Sequence, residues 1–312
     1  MFSSSHILFP TDFSHYAMNA MKYAVAIAKA FEGEVHVVHV LDPALFNVGG
    51  SHGAWLTRSD AESLEKTMRS KAETRLEHLV QRIAEEGVKA HSHIAFDKPA
   101  RGIIALSEEL ECDMVVIATH GRTGFDHLVF GSVAEQVVRR SQAPVLSVKH
   151  AVHDFVSDGS LELNVSRILF PTDFSESADH ALPYAASLCR ELGASLILFH
   201  AAELPVVLPE FMPDSAATVG ADMQALAHES LERQKEAWSG IPVETEVSPG
   251  VPYREICAAV ERLNVDLIVL PTHGHSGLGH ALFGSVAAKV VRRASCPVLT
   301  IRPGNSGSQR KK

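Results

Sequence analysis

The octet ILFPTDFS occupies residues 7–14 and returns unchanged at 168–175. A second segment, HGRTGFDHLVFGS at 120–132, returns as HGHSGLGHALFGS at 273–285. Across 120–148 and 273–301, 16 of 29 aligned positions are identical, too many for chance. The chain is therefore one unit written twice, and whatever it folds into must be a fold that one copy can complete. Residue 7 recurs at 168 and residue 131 at 284, offsets of 161 and 153. The first copy thus carries about eight extra residues between its start and its glycine loop. At 312 residues, 46% of them hydrophobic, the chain has length and apolar material for two cores. We expect one domain over 1–150, a polar linker over 151–164, a second domain over 165–304 and a tail over 305–312.

Each copy alternates short apolar runs with longer amphipathic ones. In the first copy the short runs are 6–11, 34–41, 88–96, 113–120 and 144–149, several of them almost continuously apolar. Strands buried on both faces of a parallel sheet read this way. Between the first two, Ala17, Ala20, Met21, Ala24, Val25, Ala28 and Phe31 keep the spacing of a helix face, with Ser14 as N-cap and Gly33 as the stop. Helices are also expected over 59–86, 100–110 and 132–141. The second copy places strands near 166–172, 195–202, 243–248, 266–273 and 297–302. Strict alternation of strand and helix predicts a three-layer α/β unit with right-handed crossovers, twice. The glycine-bearing connection 42–58 reads equally as a lid or as a surface excursion.

The formal charge of −9 gives no electrostatic case for nucleic acid or an anionic membrane, and the basic end QRKK reads as a solvated tail. Four cysteines without a CxxC pair fit reduced thiols, and neither a signal peptide nor an 18-residue apolar span is visible. A cytoplasmic location is expected.

In an open parallel sheet, ligands sit beyond the carboxyl ends of the strands. The segment PTD follows strand one there, and the glycine loop follows strand four and runs into the last helix. A helix start offers backbone amides with no intrahelical partner, which suits phosphate. Gly121 permits a sharp turn, Gly131 a close approach of the backbone, and Ser132 adds a hydroxyl. A plainer reading takes Ser132 and Glu135 as a capping box, although the second copy has Ala288 in place of the glutamate. For Asp12 and Asp173 the plainer reading is an Asx-type turn, and Thr11 and Thr172 could equally be strand-end residues bonded to backbone.

ILFPTDFS, the strand-end histidine–glycine pair, the nine-residue interval, GSVAEQVVRR and APVLSV together resemble the universal stress protein family, over nearly the whole chain. The resemblance implies an adenine nucleotide alpha hydrolase-like fold: an open five-stranded parallel sheet of order 3-2-1-4-5 in each copy, helices on both faces. It also implies, for one branch, ATP binding through G-x2-G-x9-G-[ST], with or without Mg2+. Carried over, the first site comprises Pro10, Thr11, Asp12, Val40, Ala118, Gly121, Arg122, Gly131, Ser132 and Val133. The second comprises Pro171, Thr172, Asp173, Ala201, Pro271, Gly274, Gly284, Ser285 and Val286. By that resemblance the aspartate and the residue ending strand two hold the adenosine, and the glycines and serine hold the phosphates.

The chain departs from the motif at its first glycine, which is Ala118 in one copy and Pro271 in the other. Alanine adds a methyl, whereas proline removes an N–H and fixes φ. Arg122 can pair with phosphate, whereas its counterpart His275 is mostly neutral at pH 7. The first copy is therefore expected to be the stronger nucleotide site. No P-loop is present, and no general base for attack on a phosphoanhydride is apparent. No catalytic residue is assigned, and at most weak ATP hydrolysis is expected.

Of 18 histidines, His91 and His93 share a strand face while His36 and His39 do not, and no third ligand accompanies either pair by spacing. No metal site is expected. The last strands open with proline, as sheet edges can, which with the resemblance predicts pairing of the two domains through those strands and leaves a further homodimer open. A nucleotide-free interaction scaffold with relic glycine loops and a slow ATP hydrolase are the alternatives.

Overall fold

The computed structural model describes residues 5–46, 58–119, 130–149, 154–156, 161–203, 213–272 and 283–302. The first repeat runs β1 (His6–Pro10), α1 (His15–Ala30), β2 (Glu34–Leu41), a 3-10 turn (Pro43–Phe46), α2 (Arg58–Glu85) and β3 (Lys89–Phe96). It continues with α3 (Pro99–Glu109), β4 (Met114–Ala118), α4 (Ser132–Arg140) and β5 (Val145–Val148). The second repeat runs β6 (Arg167–Pro171), α5 (Glu176–Leu192), β7 (Ser195–Ala202), α6 (Pro213–Glu236) and β8 (Val243–Pro249). It closes with α7 (Pro252–Arg262), β9 (Leu267–Pro271), α8 (Ser285–Arg293) and β10 (Val298–Ile301). Packing divides the chain into two compact units, one built chiefly on residues 3–145 and the other chiefly on 164–312.

The strand order is β3-β2-β1-β4-β5 in the first repeat and β8-β7-β6-β9-β10 in the second, so the expected 3-2-1-4-5 order occurs twice. β1 and β6 occupy the middle, and their apolar runs explain why. Ile7, Leu8 and Phe9, like Ile168, Leu169 and Phe170, are wholly buried, as a strand covered on both faces requires. In the first repeat α1 packs on β1 and β4, and α2 on β2 and β3.

Ser14 caps α1 as expected, its hydroxyl accepting from the Ala17 amide at 3.2 Å, and Ser175 caps α5 through Ala178 at 3.3 Å. The other end of α1 differs from expectation. The left-handed residue is Glu32, at φ 52°, not Gly33, whose amide instead closes the helix on Ala28 O at 2.8 Å. In the second repeat Gly193 takes the equivalent place at φ 67°. The turn geometry is the same in both copies, but only one has placed glycine at the residue that needs it.

β1 pairs with β4 at Ile7↔Met114 and Leu8↔Val115, and β6 with β9 at Ile168↔Leu267 and Leu169↔Ile268. Beyond those residues the two central strands diverge. Because the chain runs outward in opposite directions from them, this is the switch point where a crevice opens at the carboxyl ends.

Candidate nucleotide site

The crevice of the first unit is a cavity of about 270 Å³ bordered by the ends of three strands and the starts of three helices. Pro10, Thr11 and Asp12 come from the end of β1, Val40 from β2, Ala118 from β4, and Gly131, Ser132 and Val133 from the start of α4. Every one of the expected first-copy residues that the structure describes is therefore brought to this cavity. Gly121 and Arg122 lie outside the described residues, as does Gly274 in the second copy. His39, Pro99, Ile103 and Thr119 also border the cavity and were not singled out from the sequence. Pro99 and Ile103 were findable in principle, since a proline-opened helix must follow β3 at the same carboxyl edge.

Thr11 and Asp12 shape the turn before they meet any ligand. The Thr11 amide donates to Val38 O at 2.8 Å, continuing the β1–β2 ladder by one bond. Its hydroxyl oxygen accepts from the Phe13 amide at 2.9 Å, and Asp12 Oδ1 accepts from the Ser14 amide at 2.9 Å. The Asx-type turn and the backbone-bonded threonine are thus both real, and both coexist with a place on the cavity wall. The turn forces Phe13 to φ 63°, a conformation that a bulky side chain rarely takes. His39 holds it there: Nδ1 donates to Thr11 O at 2.7 Å, and the ring lies 4.6 Å from that of Phe13. Arg75 sits over the other ring, its guanidinium carbon 4.2 Å from the Phe13 centroid. The second repeat reproduces the device with Thr172, Asp173, Phe174 at φ 61°, and His200 donating to Thr172 O at 2.8 Å.

The start of α4 overturns the capping-box reading and shows what Gly131 closely approaches. Gly131, not Ser132, is the N-cap; the Glu135 amide bonds Gly131 O at 2.9 Å, and no side chain caps the helix, so the capping box is not formed. Nor is glycine needed at 131 for a positive φ. Its amide donates to Thr119 O at 2.8 Å, and a Cβ built there would stand 3.0 Å from that same oxygen. The close approach is to the β4 backbone, and it pins the helix start against the crevice. The amides of Ser132, Val133 and Ala134 are then the first-turn donors without an intrahelical acceptor. Gly284 repeats the arrangement with Thr272 O at 2.8 Å, leaving Ser285 and Val286 in the first turn of α8.

The two copies part at two places. Thr272 donates to Ile301 O on β10, so by strand alternation an N–H at 271 would face the crevice side, where β6 has already diverged. Pro271 has none to offer. The second place lies between strand two and the following helix. A Cβ at Gly102 would meet Val40 Cγ1 at 3.0 Å, so in the first copy a valine and a glycine interlock. Their counterparts are Ala201 and Glu255, and the Glu255 carboxylate accepts from the hydroxyl of Ser248, the residue paired with Ala201, at 2.8 Å. Where the first copy interlocks a valine with a glycine, the second thus carries an alanine and a carboxylate.

A doubly wound α/β sheet whose switch-point crevice is closed by a helix amino terminus defines a class of small-ligand α/β proteins. The sequence profile of the universal stress protein family matches residues 4–149 and again 164–302, and the chain belongs to that family, carrying its domain twice. It is similar to Universal stress protein MJ0531 of Methanocaldococcus jannaschii, 33% identical over 143 residues that cover 46% of this chain and 81% of the relative. Universal stress protein Slr1230 of Synechocystis is 25% identical over 315 residues, covering 95% of this chain and 99% of its own. Among solved structures, a universal stress protein from Archaeoglobus fulgidus matches with a TM-score of 0.68 at 26% identity, over 97% of this chain and 100% of that one. Among the described residues no helix is long and apolar enough to cross a membrane.

Proposed function

We propose that the protein acts in stress response by binding an adenine nucleotide, ATP with or without Mg2+, in the crevice of the first repeat. The nucleotide selects between conformations or partners, and efficient hydrolysis is not part of its role. The observation that carries this reading is the convergence on one cavity of Asp12, Val40 and Ala118 with the first-turn residues Ser132 and Val133. A carboxylate and an apolar wall suit adenosine at one end, and helix amides suit phosphates at the other. The second repeat is the weaker or nucleotide-free half, because Pro271 withdraws a donor and Glu255 adds negative charge near Ala201. Pairing of the two domains through Val145–Val148 and Val298–Ile301 completes the proposal; solution scattering showing two freely tumbling lobes would contradict that part.

The test is mass analysis of small molecules released when the purified full chain is denatured, paired with ATP titration of the stripped protein. Recovery of ATP, ADP or AMP near one equivalent, lost in Gly131→Ala, supports the reading. No nucleotide recovered and no binding at millimolar ATP leaves the interaction scaffold in its place.

A further inference from the structure

The opposite end of the first sheet, where its strands begin, gathers histidines from three strands. The registers His6↔Glu34, Glu34↔Lys89, His36↔His91 and Val38↔His93 put these side chains on one face. Within a single strand no such group is visible, which is why spacing alone predicted none. Ligand atoms of His6, Glu34 and His36 all lie within 4.8 Å of one another. Glu34 Oε1 stands 3.2 Å from His36 Nε2 and 4.0 Å from His6 Nε2, and Oε2 stands 3.5 Å from His91 Nε2.

Tautomers decide what those nitrogens can do. His6 Nδ1 lies 3.4 Å from Leu110 O; a carbonyl only accepts, so Nδ1 carries the proton and Nε2 presents a bare lone pair. His36 is 6% exposed, and its Nδ1 contacts His93 Nε2 at 3.1 Å. Its other nitrogen, Nε2, is buried with no hydrogen-bond partner despite the nearby carboxylate, whose direction misses bonding geometry. A buried ring nitrogen left without a hydrogen-bond partner 3.2 Å from a carboxylate oxygen is unfavourable. A cation between them resolves it.

We propose that His6, Glu34 and His36, with His91 within reach as a fourth ligand, form a site for one divalent transition-metal ion of the zinc class. Tetrahedral ligation with bonds near 2.0–2.1 Å sets donor atoms about 3.4 Å apart, close to the His36–Glu34 separation and a modest contraction from His6. Three imidazoles with one carboxylate suit zinc-like ions and not the all-oxygen shells of magnesium or calcium. His93 then serves as the outer partner that accepts the His36 Nδ1 proton and orients its ring. Lys89, bonded to Oε2 at 2.6 Å, leaves Oε1 to the metal, and its long exposed stem lets the ammonium swing away if His91 joins.

Chelator-treated full chain is titrated with Zn2+ against a chromophoric chelator, and separately with Co2+ while its visible spectrum is followed. We expect one tight equivalent and an intense tetrahedral Co2+ band. The double variant His6→Ala/His91→Ala, at half-exposed positions, should weaken Zn2+ by at least about 10-fold, the loss that even outer partners produce, with far-ultraviolet circular dichroism checking that the fold is kept. Glu34→Gln should abolish the Co2+ band while the far-ultraviolet circular dichroism is unchanged. A control substitution at exposed His180 should change neither. Absence of a tight equivalent, or affinity in the double variant equal to that of the unmodified chain, overturns the proposal.

Discussion

Asp12 serves two masters, and they can be separated by chemistry. Its Oδ1 accepts from the Ser14 amide, a job that needs an oxygen but no charge. Asp12→Asn keeps that acceptor, so urea unfolding should shift by no more than about 0.5 kcal/mol. If the carboxylate also holds adenosine, ATP affinity measured calorimetrically should fall about 10-fold in the same variant. Asp12→Ala should lose both, with about 1 kcal/mol of stability gone as well. Equal affinity in the asparagine variant would reduce Asp12 to a turn residue. The motif made this position legible, but not which of the two jobs selected it. Gly131 teaches the complementary lesson: the sequence announced that a side chain was forbidden there, yet the obstacle is Thr119 O, supplied by a strand end that no spacing rule reveals. Buried thiols give a further prediction at this scale. Burial pushes Cys112 up to about 12, helped by Asp113, and Cys189 likewise up to about 12, against an ordinary value of 9.0. The folded chain therefore keeps protons that the unfolded chain releases, so this stabilisation is complete below about pH 9 and is lost progressively as pH climbs toward 12. The urea midpoint should drop as pH rises from about 9 toward about 12, and both thiols should resist a disulfide reagent in the native state. Rapid native labelling of Cys189 would contradict the burial described.

Apolar runs made the elements readable. β2 and β7 fall over 34–41 and 195–202, as the apolar runs predict, because both are bounded by a helix stop on one side and a proline-bearing connection on the other. Element ends were less readable, since a left-handed residue is fixed by the closing hydrogen bonds and not by composition. Glu32 sits where Gly193 sits in the second repeat, and a left-handed non-glycine residue costs about 1 kcal/mol. Glu32→Gly should raise stability by about that amount minus the entropy glycine adds to the unfolded chain, and Gly193→Ala should lower it by about 1 kcal/mol. Nothing lies within 4 Å of a Cβ at Gly193, so the second effect isolates backbone strain from packing. Chemical denaturation of both variants checks the pair; a neutral Gly193→Ala would mean the helix end adjusts freely. Registry between strands was the least readable level. The histidine face at the start of the first sheet exists only because β1, β2 and β3 lie in one register, which pairs residues 28 and 55 positions apart in the sequence.

Duplication gives the whole molecule an internal control, since each crevice is the other's variant. The turn after strand one, the histidine behind it and the glycine at the last helix are kept in both copies, and all three build the sheet end itself. What has drifted is what a nucleotide would feel: Ala118 against Pro271, and the Val40–Gly102 interlock against Ala201 with Glu255. Differences at these positions are what is expected if one half binds and the other has been released from binding. The consequence is measurable in the intact chain. Unmodified protein should titrate with one tight ATP, and Gly131→Ala, by pushing α4 off Thr119, should remove it. In that background, Pro271→Ala with Glu255→Gly restores a donor and withdraws an anion, and affinity at the second crevice should rise about 10-fold or more. Two equal sites in the unmodified chain would show that neither Pro271 nor Glu255 matters to the ligand, and the difference between the copies would then have to be sought in what each half touches.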